Sequence, residues 1–240
     1  LSFWGLGFLV SSLLLPEHVA SDGAPVRRFR PADLKPKLSD YTDAFRLMAV
    51  PAIAFVMLIS TFRIAGQAIE GSFYSFFLSS QGYTGTLIGL LYSTSAAMGF
   101  VGSAIVGPLA RFFKSHWLLL STSLIATVGI GLTPLFGIYP LLVAAMVVRG
   151  FTLGISQPLL ISLTAKGAGR GAQGTAVGLR NTMNRMAQLV LPIIMGAIAE
   201  VVGLGPSFLV MAGVLTALML GSALHAHRRG AFDEKPADQA

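Results

Sequence analysis

Apolar residues gather in seven runs, one at 1–15 and six more at roughly 47–78, 85–110, 116–136, 139–165, 173–202 and 206–226. A helix rises 1.5 Å per residue, so about 20 apolar residues cross a hydrocarbon core of about 30 Å. Each of the six later runs is long enough. The first reaches only about 22 Å and reads as the end of a truncated span, so the chain is expected to begin within a helix of a larger protein. Between it and the second run lies a polar stretch with Pro16, Pro25, Pro31 and Pro36, the pattern of a solvated linker. The expected organisation is an all-α membrane protein. It has the end of a transmembrane helix at 1–15, a linker at 16–46, a six-helix transmembrane bundle at 47–226 with short connections, and a polar tail at 227–240.

Polar residues interrupt these runs in stripes. At about 100° per residue, Ser60, Arg63, Gln67, Glu70 and Tyr74 fall within about 80° of one another on the first full span. In the fifth, Arg180, Asn181, Asn184, Arg185 and Gln188 fall within about 140°. Such a stripe sits in lipid only if it faces protein or water. Arg63 lies near the middle of its span, and Glu70 is the one acid well inside any span. Its two readings are a structural ion pair and a titrating, proton-carrying carboxylate. Arg149 lies about 15 Å into its span, with Thr152, Ser156 and Gln157 near its side and Pro158 permitting a kink. Arg180 is close enough to a span end to snorkel to the interface, whereas Arg185 is nearly twice as deep. The second full span carries Ser95, Gly99, Ser103 and Gly107 at four-residue spacing, a small-residue ladder for close helix packing.

Composition agrees with the pattern. The chain is 54% hydrophobic and 11% charged, with mean hydropathy +0.73, against about 25% charged residues in soluble domains. With no cysteine, disulfides, thiolate metal sites and thiol nucleophiles are excluded. Net charge +7 would suggest nucleic acid if the cations shared one solvated surface. Instead, with the 16–46 linker cytoplasmic, Arg27, Arg28, Arg30, Lys35, Lys37, Arg46, Arg111, Lys114, Lys166, Arg170, Arg228, Arg229 and Lys235 all fall on that side. The turns near 79–84, 137–138 and 203–205 carry none. This is the positive-inside asymmetry of a multi-pass protein, and it accounts for the basic character without nucleic acid. His18, His116, His225 and His227 sit at or beyond the cytoplasmic edges. No nucleophile and base arrangement, phosphate loop or metal-ligand spacing is present, so no catalytic residue, cofactor or metal is expected.

Arg170, Gly171, Gly174, Gly178, Leu179, Thr182, Pro192, Gly196, Gly203 and Phe208 resemble the pattern running from the eleventh into the twelfth helix of major facilitator superfamily transporters. Gln81, Gly82, Tyr83, Ile88 and Gly89 resemble that family's outer turn between helices seven and eight. Gly107 and Leu109 resemble its signature after helix eight, although Arg111 stands where the family carries Asp. Arg149 to Gly154 is weakly similar to an Arg and Gly pattern of helix four. The resemblance spans essentially the whole chain and implies the C-terminal half of the fold. The partners it implies are the lipid bilayer, an N-terminal six-helix half and a small-molecule substrate bound between the halves near the midplane.

The expected function is secondary active transport by alternating access, proton-coupled, in a multi-pass protein of the bacterial inner membrane. The solute is an organic anion or a drug or metabolite for efflux. The expected substrate-binding residues are Arg63, Gln67, Tyr74, Arg149, Gln157, Asn184, Arg185 and Gln188, with Glu70 as the proton-coupling candidate. The alternative is a non-transporting scaffold or receptor built on a half-bundle, its polar stripes filled by fixed salt bridges. A membrane enzyme would need a catalytic cluster that the sequence does not offer.

Overall fold

The computed structural model describes residues 48–168 and 172–230. The expected truncated span at 1–15, the linker at 16–46, Arg170, Gly171 and the tail from 231 lie outside the described residues. Among the described residues there is no strand. The elements are helices α1 (Pro51–Ser80), α2 (Gly85–Phe112), α3 (Ser115–Gly131), α4 (Tyr139–Ala168), α5 (Gln173–Val202) and α6 (Leu204–Arg228).

Local chemistry sets the helix ends. Pro51 opens α1, where its fixed φ suits the first turn and its missing N–H costs nothing. Gly82 at φ 87° and Gly203 at φ 88° make the connections after α1 and α5, a region of backbone space open to glycine at little cost. Pro108, Pro158 and Pro192 lie inside helices, as membrane spans tolerate when neighbours re-satisfy the backbone.

Five of these helices are long and apolar enough to cross a membrane. The run at 116–136, expected to span as one helix, differs: α3 has 17 residues and stops at Gly131. Pro134 lacks the N–H that would continue the α-helical ladder. The chain therefore tightens into a 3₁₀ turn, Thr133–Leu135.

α1 is the central element, packing against α3, α4, α5 and α6. Of its most apolar 18-residue stretch 56% is buried, against 11% for α5. Phe55, Ile59, Leu119, Ile155 and Met219 form one core cluster, and Ile69, Tyr74, Leu91, Leu142, Met195 and Phe208 form a second. The outside is apolar too, with Phe100, Phe112, Ile193 and Val201 exposed. Burial of oil away from water therefore does not order such helices in lipid, and close packing does.

The closest packing joins α2 to α4. A Cβ on Gly150 would run into the Ser95 carbonyl oxygen, one on Gly154 into that of Gly99, and one on Gly102 into that of Phe151. The small-residue ladder read from the sequence is thus half right. Ser95 and Gly99 meet α4, but Ser103 is exposed and Gly107 faces open space. Four-residue steps drift about 40° each on a helix, so the ladder turns away after two steps, while Gly102, seven residues after Ser95, returns to within about 20°.

Candidate functional site

α1 and α4 run antiparallel, and two polar levels join them, seven residues apart on each helix. At about 1.5 Å per residue the levels are separated by about 10 Å.

At the first level the Glu70 carboxylate pairs with the Arg149 guanidinium, each side chain only 6% exposed. Arg149 Nη1 also donates to Ser95 Oγ at 3.3 Å, so the pair ties α1, α2 and α4 together. Glu70 opens a five-residue π turn, Glu70–Tyr74, a wider turn often found at functional sites. Tyr92 Oη donates to the Glu70 carbonyl oxygen at 3.4 Å, and its ring meets that of Tyr74 edge-on at 5.9 Å. Among the described residues Glu70 Oε1 and Arg149 Nε have no hydrogen-bond partner. A buried charge pair of this kind holds only while both partners remain, since either alone would be a bare charge in a low-dielectric interior.

At the second level Arg63 has neutral partners. Its Nε donates to Ser156 Oγ at 3.0 Å and its Nη2 to Gln157 Oε1 at 2.6 Å. Beside it lies a cavity of about 310 Å³ lined by Ser60, Arg63, Gln157, Arg180, Asn184 and Arg185, with Asn181 and Gln188 also on its wall. Ser60 Oγ donates to Asn184 Oδ1 at 3.2 Å, and Arg185 Nη1 to Gln188 Oε1 at 3.1 Å. Arg180 Nη1 reaches Thr164 Oγ1 at 3.5 Å. Among the described residues no Asp or Glu lines this cavity.

The five residues of the α5 stripe therefore share one cavity with Arg63 and Gln157, including Arg180, which the sequence left free to snorkel. Arg149 and Glu70 lie in the closed level instead. Tyr74 is buried against Tyr92, and Gln67 is half-buried without lining the cavity. Ser156 and Gln157, read as companions of Arg149, serve Arg63, because they sit two turns further along α4. Two partners were missed: Ser95, read only as packing, and Tyr92. A tyrosine hydroxyl within an apolar span needs a partner, and that was the signal for Tyr92. Among the described residues no group of His, Asp and Glu is arranged to hold a metal ion.

Neither a curated protein nor a solved structure matches the chain. Residues 2–192 and 56–239 both match the profile of the Major Facilitator Superfamily. Together the two matches cover nearly the whole sequence, and with the helices long enough to cross a membrane they show that this chain belongs to the major facilitator superfamily of integral membrane transporters.

Proposed function

We propose that the chain forms one six-helix bundle of a secondary transporter that moves a small solute by alternating access. The solute binds over Arg63, Gln157, Asn184, Arg185 and Gln188. The observation that carries this reading is the open polar cavity. Side chains this polar are kept from lipid only by protein or water, and around Arg63 they surround space instead of closing on an acid. A scaffold would close both levels with ion pairs, as Glu70 and Arg149 close one. A second six-helix bundle covers the exposed face of α5 and completes the site, and the basic ends of the helices lie on the cytoplasmic side of a bacterial inner membrane.

Glu70 is the coupling carboxylate in this reading. Protonation removes the charge that holds Arg149 and loosens the tie between α1, α2 and α4, which links proton uptake to movement of the helices.

The test is pH-dependent uptake and efflux in membrane vesicles carrying the protein, across organic anions and cationic dyes. Arg185→Ala is expected to lower transport at least tenfold, and Glu70→Gln to leave movement that no longer follows a proton gradient. A folded, inserted protein that moves none of these solutes contradicts the reading.

A further inference from the structure

The cavity does not offer donors and acceptors evenly. An arginine has five N–H donors and no acceptor, so an amide that bonds to one must present its oxygen. Gln157 turns Oε1 to Arg63, and Gln188 turns Oε1 to Arg185. The Asn184 oxygen is likewise taken by the Ser60 hydroxyl. Each of these amides thus turns its oxygen to a protein donor, which engages one of its two lone pairs, and among the described residues makes no bond through its NH₂ group. Among the described residues Arg63 spends Nε and one Nη2 hydrogen on protein, and Arg180 spends one Nη1 hydrogen on Thr164. The acceptors that remain are one lone pair on each of those three oxygens, the Ser60 oxygen, 1% exposed, and Asn181, all neutral, against three guanidiniums in the wall. Among the described residues Asn181 alone of the lining amides makes no such bond.

We propose that this cavity selects a compact polyanion rich in acceptors and poor in donors, carrying two or more carboxylate or phosphate groups, and that Gln157 and Gln188 are specificity-determining residues. The inference rests on the transporter reading and names its solute class. Oxyanions meet charge-assisted donors from Arg63, Arg180 and Arg185 and further donors from the three amides. A sugar hydroxyl can accept from these N–H groups, but it brings no charge to the guanidiniums and its own hydrogens meet few acceptors. An organic cation would face guanidinium charge with no carboxylate among the described residues of the wall. The nearest buried acid, Glu70, is occupied by Arg149.

The test measures equilibrium binding to the purified transporter, with both bundles present, in lipid nanodiscs, using tricarballylate, pyrophosphate, glucose and tetraphenylphosphonium. At least one of the two anions is expected to bind tenfold or more tighter than glucose and tetraphenylphosphonium, and the stronger of the two tells carboxylate from phosphate. Gln157→Glu still accepts from Arg63 but presents no donor, and it should weaken the anion at least tenfold. Gln188→Glu, at an exposed position on α5, should act in the same direction and serves if the first variant does not fold. Glucose or tetraphenylphosphonium binding tighter than both anions overturns the proposal. So does binding of none of the four, or anion affinity unchanged in both variants. Liposome flux separates this from the function itself. An anion that binds but is never moved contradicts transport alone, and movement of tetraphenylphosphonium with neither anion contradicts the polyanion assignment alone.

Discussion

The α1–α4 pair holds an arginine at each of two levels and treats them differently. Arg149 meets a carboxylate and is sealed, whereas Arg63 meets a hydroxyl and an amide oxygen and keeps donors facing a cavity. Charge against charge yields a neutral, closed junction that fixes three helices. Charge against neutral acceptors yields a rigid side chain whose positive charge remains available. A polar stripe on one helix is therefore not yet a solute site, because the partner on the next helix decides whether it closes into a junction or keeps its charge facing open space.

The largest expected effect breaks the closed level. Arg149→Ala leaves Glu70 buried without its partner, which costs about 3–5 kcal/mol, read as lost stability in chemical unfolding of the reconstituted protein. Adding Glu70→Gln should recover much of that loss, because the bare charge is gone. Next in size is Gly154→Ala, whose Cβ would meet the Gly99 backbone and force α2 from α4 at about 1–3 kcal/mol. Gly107→Ala, facing open space on α2, should cost nothing in the same measurement. At the open level Arg63→Ala is expected to cost about 1–2 kcal/mol of stability, the scale of hydrogen bonds from a charged group to neutral acceptors, while lowering solute binding at least tenfold. Arg63 would thus be distinguished from Arg149 by affecting binding more than folding. The smallest loss is expected for Tyr92→Phe, which removes two long hydrogen bonds, to the Glu70 carbonyl and with Ser75 Oγ, at about 1 kcal/mol together.

Much of the helical bundle is legible in the sequence, because apolar run length alone separates spans from connections. The exception was α3, where the apolar run continues past Gly131 but Pro134 ends the helix; a hydropathy reading passes over that backbone constraint. The α5 stripe was legible as one face because its five residues lie on one helix, where angular spacing is enough. The separation of Arg149 and Glu70 from Arg63 and Gln157 was not legible. It depends on the antiparallel register between α1 and α4, which the periodicity of a single helix does not contain. The small-residue ladder on α2 shows the same limit on a finer scale. Four-residue spacing looks straight in the sequence and winds away from α4 within two steps, leaving Gly102, off the ladder, in the contact.

The most direct test of the central claim, that the α5 face lines an alternately accessible path, uses the absence of cysteine from the sequence. A single Gln188→Cys would be labelled with a membrane-impermeant thiol reagent in right-side-out and inside-out vesicles, with Ser95→Cys from the closed level as the control. The account predicts that residue 188 reacts from both sides of the membrane and is protected by bound solute, while residue 95 reacts from neither. Labelling of residue 188 from one side only, whatever the solute, would contradict it.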